Sequence, residues 1–221
     1  MGDILDVIVS RRSVRQYKAD PIPDELLNKV LEAARWAPTG HSDQPWKLIV
    51  VKDPETKRKI GRLQRLAIGT RETAYYGVGA RQVPRIQSIK DPEQRAAALR
   101  ATYASRESQF LSEAPVLVVV LGSMGAGELN VPYDLAACTE NMILEAHSLG
   151  IGTCWVHAPV AGTRDALRFK KLLKIPTGMG EYKVLAIIPL GWPSEGQPPP
   201  RPKKPLDSIV FWEEFGRKEK S

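Results

Sequence analysis

The chain has 221 residues, of which 43% are hydrophobic and 26% are charged. These values suit one large domain or two small ones with a buried core, and they exclude wholesale disorder. The longest apolar run, around 115–121, is far shorter than a membrane-spanning helix, and the acidic N-terminus is unlike a signal peptide. We therefore expect a cytoplasmic protein. The net charge of +7 favours anionic partners such as nucleic acid, an acidic lipid surface or a phosphorylated cofactor.

The cysteines and histidines do not form a metal-binding pattern. Cys138 and Cys154 are too few for a disulfide framework and do not make a CxxC pair, so we interpret both as buried free thiols. His157 is the histidine nearest to a cysteine, and one such pair falls short of the three or four ligands of a zinc site. We therefore expect no metal.

Hydrophobic spacing predicts that helices and strands alternate along the chain. Asp3 is a candidate N-cap of a short helix in which Ile4, Leu5 and Ile8 face inward. The other predicted elements, in chain order, are a helix over 24–36, a strand over 46–51, a helix of about a dozen residues from 53, a strand over 115–121, a helix over 134–149, a strand over 151–156, a helix over 162–173 and a strand over 182–190. The pattern indicates an α/β or α+β protein with one central sheet, and the motifs of Rossmann and P-loop folds are absent.

Two segments stand apart from this pattern. Residues 69–112 carry many charges and weak apolar stripes, which predicts a helical excursion or lid. From residue 191 the chain is tail-like, with polyproline II character over 198–205. The tail ends in an aromatic cluster of Phe211, Trp212 and Phe215. A disordered tail would not normally carry such residues, so we expect the tail to pack against another surface, for example a partner chain.

The first candidate site is the basic segment over 11–15, which reads Arg-Arg-Ser-Val-Arg. Three guanidinium groups and a hydroxyl within five residues can clamp a phosphate, because Arg offers a planar fork of donors and Ser adds a neutral one. The alternative is a solvated basic turn.

Two further candidate sites lie where helices lead into strands. Residues 37–46 form a dense run of small and polar residues that could present amides and hydroxyls to a planar ligand. Residues 150–155 contain two glycines that permit close approach of another body. The alternatives are an ordinary helix-to-strand connection for the first and a packed helix for the second.

Four separated segments carry residue combinations that occur together in one known family. Residues 11–17 read Arg-Arg-Ser-Val-Arg-Gln-Tyr, and residues 34–46 contain Ala-Pro-Thr-Gly and Gln-Pro-Trp. Residues 141–155 run from Asn-Met-Ile-Leu to Leu-Gly-Ile-Gly-Thr-Cys-Trp, and residues 203–213 run from Lys-Lys-Pro-Leu to Phe-Trp-Glu. In this order they resemble the nitroreductase-like family of FMN-dependent oxidoreductases, and only 69–112 has no counterpart.

The resemblance implies an α+β fold, a nitroreductase-like sandwich with a central mixed β-sheet flanked by helices, as a single domain over 1–221. It also implies a homodimer with FMN at the interface and the C-terminal extension over 191–221 packing on the partner subunit. The implied FMN-binding residues are Arg11, Arg12, Ser13 and Arg15 at the phosphate and ring edge, Arg201 and Lys203 from the C-terminal segment, Pro38, Thr39, Gly40 and Ser42 from the other subunit, and Thr153, Cys154 and Trp155 along the ring.

Some of these positions depart from the family's pattern. Thr39 and Ser42 stand where the family often has Ser and Asn, and Phe211 stands where His is common. Lys203 replaces an Arg, which keeps the charge and loses the planar fork. The implied activity is a two-electron, ping-pong reduction of nitroaromatic or quinone-type acceptors by NADPH or NADH through FMN, with no side chain assigned as catalytic.

Other functions remain open. Some members of the family remove halogens from halogenated tyrosine with a lid carrying Glu, Tyr and Lys. Glu72 and Tyr76 have the corresponding spacing, whereas Ser108 stands where the lysine would lie. Another branch consumes its own flavin, and a non-enzymatic protein would hold FMN without turnover. Nucleic-acid binding is not expected, since the cations are spread along the chain without a recognisable binding motif.

Overall fold

The computed structural model describes residues 3–79, 88–95, 97–98, 109–124, 130–178, 181–194, 199–200 and 202–218. The helices are α1 (Ile4–Ser10), α2 (Asp24–Arg35), α3 (Pro54–Gly79), α4 (Gln109–Glu113), α5 (Val131–Ser148) and α6 (Thr163–Leu172), and residues 92–95 and 97–98 are also helical. The strands are β1 (Trp46–Val51), β2 (Val116–Ser123), β3 (Gly152–Thr153) and β4 (Tyr182–Gly191). Within these residues we find no helix that is both long and apolar enough to span a bilayer.

The four strands form one sheet in the order β1-β2-β4-β3. All three ladders between them are antiparallel, and a single parallel bridge joins Ser13 to Thr153 at the β3 edge. The fold class is therefore α+β, as predicted. The described strands form an antiparallel sheet rather than the expected mixed one, and the one parallel pairing among the described residues is that bridge.

Strand β2 is the centre of the molecule because both of its faces are buried. Val116, Val118 and Val120 pack on one face with residues of α2 and α5, whereas Leu117, Val119 and Leu121 pack on the other face with residues of α3, α4 and α6. Side chains of a strand alternate between faces, so a continuous apolar run feeds two cores at once. The result is a sheet with a helical layer on each side.

Several predicted elements are confirmed, and one orientation is wrong. The helix over 24–36 and the strand over 46–51 match α2 and β1, and Asp3 caps α1 by accepting a hydrogen bond from Leu5 N at 3.2 Å. The apolar residues of α1 do not face inward: Ile4, Leu5 and Ile8 are exposed. The reason is that α1 lies at the margin of the domain, beside α5, where no second layer covers it.

Two predicted lengths are also wrong. Helix α3 has 26 residues rather than about a dozen. In its first half, a buried stripe of Lys57, Ile60, Gln64 and Ala67 keeps helical spacing despite two polar members. The Lys57 ammonium donates to Ala114 O at 2.8 Å and Pro115 O at 3.0 Å, which fastens α3 to the start of β2. Strand β3 covers only Gly152–Thr153, and beyond it Val156 meets β4 through a single bridge to Ile187.

Substituting Val118 tests the double-sided burial of β2. Val118 is fully buried and pairs with Val50, which is 37% exposed on the edge strand β1. Val118→Ala should lower the free energy of unfolding by about 2 kcal/mol, since it removes buried methyl groups and leaves a cavity. The matched change Val50→Ala should cost under about 1 kcal/mol. Urea unfolding measures both, and equal losses would contradict the layered core.

Candidate functional site

The basic segment over 11–15 is extended, so its side chains alternate between two sides. Val14 is buried and Arg15 is exposed, and we expect the same alternation to put Arg11, Ser13 and Arg15 on one side. One terminal nitrogen of Arg12 donates to Val9 O and Arg11 O, both at 2.7 Å. The Arg12 Nε is buried and meets no acceptor among the described residues. We therefore expect three of the four predicted phosphate ligands of this segment to share one face.

Backbone pairing joins this segment to the residues of β3. Val14 N donates to Thr153 O at 2.8 Å, alongside the Ser13–Thr153 bridge. The contact depends on Gly152, because a Cβ there would lie 2.8 Å from Val14 Cβ. Further along, Lys18 N donates to Trp192 O at 2.8 Å, which ties the end of the segment to the end of β4. The first and third predicted sites thus form one surface.

The β3 side of this surface is mostly inaccessible to water. Thr153 and Cys154 are buried, and Trp155 is 38% exposed. Both cysteines are free thiols, as predicted, and burial raises the pKa of Cys138 to about 12, which keeps that thiol protonated. Cys154 Sγ lies 3.9 Å from Trp155 O. What this side offers a ligand is backbone, one hydroxyl and an indole ring.

The guanidinium groups of this surface have no acidic counterion among the described residues. None of the ion pairs among the described residues includes Arg11, Arg12 or Arg15. The effect reaches His147 on α5, whose pKa is lowered by burial and by the charges of Arg11 and Arg12. The surface therefore carries a positive potential that suits an anion.

The second predicted site is a strained, exposed loop. A 3₁₀ turn spans Gly40–Ser42, and Gln44 N donates to Thr39 Oγ1 at 3.3 Å. His41, Ser42 and Gln44 have φ angles of 51°, 61° and 44°, in the left-handed region that L-residues rarely adopt. Such a concentration of strain is typical of functional loops. Pro38 and Gly40 are also exposed, so this loop presents its surface to an external body.

The fold places this loop far from the other two sites within one protomer. The loop leads into β1 at Trp46, which pairs with Gly122 of β2. Thr153 pairs with Leu190 of β4, which in turn pairs with Val116 of β2. Strands β1 and β3 are the two edges of the sheet. Across the sheet the two corners are separated by three interstrand spacings of about 4.8 Å each, and along β2 by six residues with a rise of about 3.4 Å each. The two components combine to a distance of roughly 25 Å.

The predicted C-terminal ligands are only partly described. Lys203 is exposed, and Arg201 lies outside the described residues. The aromatic cluster makes local contacts, with the rings of Phe211 and Phe215 4.7 Å apart and Phe215 93% exposed. The packing of the tail on a partner chain stays a prediction.

The sequence analysis did not identify His147 near the basic segment, and it did not distinguish Arg12 from Arg11. His147 lies against the basic segment but is more than a hundred residues away in the chain, so no local pattern indicates it. The different contacts of Arg11 and Arg12 could have been predicted if 11–15 had been interpreted as an extended segment, because neighbouring side chains then point to opposite sides.

Alanine at Gly152 should weaken the joined surface. Its Cβ would collide with buried Val14, so we expect Gly152→Ala to lower the free energy of unfolding by about 1–3 kcal/mol. Gly40→Ala is the matched control, because its Cβ would meet nothing nearer than Asn130 Nδ2 at 4.0 Å. We expect that control to change stability by under about 0.5 kcal/mol. Thermal unfolding of both variants gives the comparison, and a silent Gly152→Ala would contradict the close approach.

Comparison with known proteins identifies the family of this chain. A sequence model described as the Nitroreductase family matches residues 8–192. An NADH dehydrogenase of Thermus thermophilus is 29% identical over 218 residues, which cover 95% of this chain and 96% of that protein. Iodotyrosine deiodinase 1 of Rattus norvegicus is 27% identical over 212 residues, covering 94% and 68%. An FMN-dependent nitroreductase from Clostridium difficile R20291 has the same fold, with a TM-score of 0.68, 22% identity and coverage of 96% and 99%. The matched range includes all three candidate segments, and the chain belongs to the nitroreductase family.

Proposed function

We propose that this protein is an FMN-dependent oxidoreductase that takes electrons from NADH or NADPH and passes two of them to a small nitroaromatic or quinone-type acceptor. The observation that carries the proposal is the surface formed by residues 11–15 and 152–155, where three guanidinium groups form no ion pair with a carboxylate of the described residues. The family and the names of its relatives, an NADH dehydrogenase and an FMN-dependent nitroreductase, support the same chemistry.

The donor set of the basic segment fits the phosphate of FMN. Arg11 and Arg15 offer forked, permanently charged donors, and Ser13 adds a hydroxyl between them on the same side. Arg12 supports the segment through its hydrogen bonds to Val9 O and Arg11 O. We expect Lys203 and Arg201 to add charge from the C-terminal segment.

The flavin ring would lie along Thr153, Cys154 and Trp155. FMN, when bound, supplies the transfer of two electrons from a nicotinamide to an acceptor. The buried backbone of this stretch keeps water from one side of the ring, and the positive charge of the neighbouring segment favours a reduced, anionic ring. No side chain is needed as a general acid, since water can protonate the product. Donor and acceptor would then use the same open side in turn, which gives ping-pong kinetics.

A second copy of the chain would complete the site. Pro38, Thr39, Gly40 and Ser42 precede Trp46, which lies roughly 25 Å from Thr153 by strand spacing and rise, farther than one FMN molecule reaches. We therefore propose a homodimer in which this loop reaches the partner's FMN. The exposed apolar residues of α1 and the aromatic cluster of the extension over 191–221 would be covered in that dimer.

The acceptor would be chosen by the segment over 69–112, which we propose acts as a lid on the single domain. A second candidate function, reductive dehalogenation, is favoured by relatives named iodotyrosine deiodinase. Glu72 and Tyr76 lie one turn apart in α3, as a lid of that kind would require, whereas Ser108 is outside the described residues.

Flavin binding and reduction test the proposed function. The purified protein should bind FMN and show flavin absorbance that bleaches anaerobically with NADH or NADPH. A nitroaromatic, a quinone or 3-iodotyrosine should then restore the absorbance, and iodide release would favour the second candidate. Failure to bind FMN would refute the proposal, whereas binding without bleaching by either nicotinamide would indicate a non-enzymatic FMN carrier or a different reductant.

Matched variants identify the phosphate site in the same experiment. Arg15→Gln should weaken FMN binding by about tenfold to a hundredfold, because it removes a charge-assisted hydrogen bond. Arg35→Gln is the control, since Arg35 is already paired with Glu32 on α2. Riboflavin, which lacks the phosphate, should bind both variants equally. If Arg15→Gln bound FMN as tightly as the control, the phosphate would lie elsewhere.

The dimer is tested by placing a charge on α1. Ile8 and Leu167 are 48% and 50% exposed, and Leu167 lies on α6, away from the proposed interface. Ile8→Glu should raise the dimer dissociation constant about a hundredfold or more, because it would bury a carboxylate between subunits. Leu167→Glu should leave it unchanged. Sedimentation equilibrium measures both, and a wild-type protein that stays monomeric at all concentrations would contradict the dimer.

A further inference from the structure

The outward side of α3 is strongly basic. Buried Ile60 belongs to the core on one face of the sheet, so the opposite side of the helix points to solvent. With 3.6 residues per turn, the exposed residues over 55–66 fall within an arc of about 120°. The charged and large apolar members of this arc are Glu55, Arg58, Lys59, Arg62, Arg65 and Leu66.

The outward side of α6 has the same character. Phe169 packs in the same core as Ile60, and α6 contacts α3, so the two helices form one layer over the sheet. The exposed charged and large apolar members of α6 are Arg164, Leu167, Arg168 and Lys171. Because both helices cover the same side of the sheet, their outward sides point the same way. We call these exposed residues of α3 and α6 together the α3–α6 face.

Most cations of the α3–α6 face have no carboxylate counterion in the part of the chain that the structure describes. Lys59 Nζ pairs with Glu55 Oε1 at 2.8 Å, and Arg168 Nη1 lies 3.8 Å from Asp165 Oδ1. The cations of this face that form no ion pair with a described residue are Arg58, Arg62, Arg65, Arg164 and Lys171. The face therefore carries an excess of positive charge that the proposed FMN site does not use.

Helix α2, on the other side of the sheet, provides a contrast within the same molecule. It packs in the opposite core, and its cations are accompanied by carboxylates. Lys29 pairs with Glu25 at 3.0 Å, and Arg35 pairs with Glu32. Exposed helical cations of this protein are thus paired on one layer and mostly unpaired on the other. An uncompensated basic surface of this kind attracts a polyanionic partner.

Two leucines project among the cations of the α3–α6 face. Leu66 is 49% exposed and lies about one turn after Arg62. Leu167 is 50% exposed, with Arg164 and Lys171 about one turn to either side. Cations and exposed apolar side chains on one surface are typical of elements that lie on an anionic bilayer, where the cations meet headgroups and the apolar groups enter the acyl boundary.

A nucleic acid explains the cations of this face but not the leucines. The phosphate backbone offers charge and hydrogen-bond acceptors, and neither interacts favourably with an aliphatic side chain. Proteins that hold single strands stack bases on aromatic rings, and no aromatic side chain is exposed over 55–66 or on α6. The combination of residue types therefore favours lipid.

We propose that the α3–α6 face binds the surface of an anionic lipid bilayer. Its unpaired cations would contact phosphate and carboxylate headgroups, while Leu66 and Leu167 would enter the boundary of the acyl region. Four of the five unpaired cations are arginines, which stay charged at all physiological pH values, so salt rather than pH should control the contact. The inference is independent of the proposed function, because neither FMN nor an acceptor takes part in the contact.

Sedimentation of the full chain with lipid vesicles tests the proposal. The wild type should bind vesicles of phosphatidylcholine with about 30% phosphatidylserine, and should not bind phosphatidylcholine alone. Raising the salt from about 0.1 M to about 0.5 M should release most of the protein, because the screening length falls to about 4 Å. Equal binding to both kinds of vesicle, or binding to neither, would overturn the proposal.

Matched double variants locate the contact on the molecule. Each cation near an anionic leaflet contributes about fivefold to partitioning, so Arg62→Gln with Arg164→Gln should weaken vesicle binding by about tenfold to thirtyfold. Lys29→Gln with Arg35→Gln removes the same two charges from α2 and should leave binding close to that of the wild type. If both double variants weakened binding equally, the net charge rather than this face would be responsible, and the proposal would be wrong.

A second pair of substitutions separates lipid from nucleic acid. Leu66→Ser with Leu167→Ser should weaken binding to the anionic vesicles by about tenfold, because two apolar side chains no longer leave water. All substituted side chains are exposed, so we expect each variant to fold, and thermal unfolding checks this. Vesicle binding that does not depend on the leucines, together with salt-sensitive retention of duplex DNA by the wild type, would assign the face to nucleic acid and refute the lipid contact.

Discussion

Burial of β2 on both faces is the constraint from which the rest of the structure follows. Its alternate side chains are needed by two separate cores, so helices must cover both sides of the sheet. Its antiparallel register with β1 on one side and β4 on the other determines at which end of the sheet the loops next to these strands lie. The positions of the candidate segments, at two opposite corners, are consequences of that register.

The candidate site itself is made of features that oppose stability. Three cationic side chains follow one another closely in the chain and pair with no acidic side chain in the part that the structure describes, and a loop holds three residues at positive φ. Each strained residue costs on the order of 1–3 kcal/mol, and the large two-sided core offsets such costs. A ligand that neutralises the cations removes part of the repulsion, so binding and folding should be coupled. Burial, together with the charges of Arg11 and Arg12, lowers the pKa of His147, so this side chain also lies in the positive field.

The candidate site shows which of its features can be predicted from local sequence and which cannot. The density of Arg and Ser over 11–15 and the glycines over 150–155 mark two sites by composition, because phosphate recognition and close backbone approach each need particular residue types. The hydrogen bond between Val14 and Thr153 that joins the two sites is a long-range contact, and no local sequence pattern predicts it. The same holds for His147, which reaches the basic segment only because α5 ends beside α1.

The sequence by itself determined the elements with strong periodicity, the central strand, the N-cap at Asp3 and the residue types available for binding an anion. Those properties depend on neighbours within a few residues, which the chain order contains. The tertiary structure alone decided that α1 leaves Ile4 and Ile8 exposed, that α3 continues to Gly79, and that the loop around Gly40 lies across the sheet from Thr153. These depend on which surfaces meet after the chain has folded back, and amphipathic spacing fixes only that a surface is apolar, not what covers it.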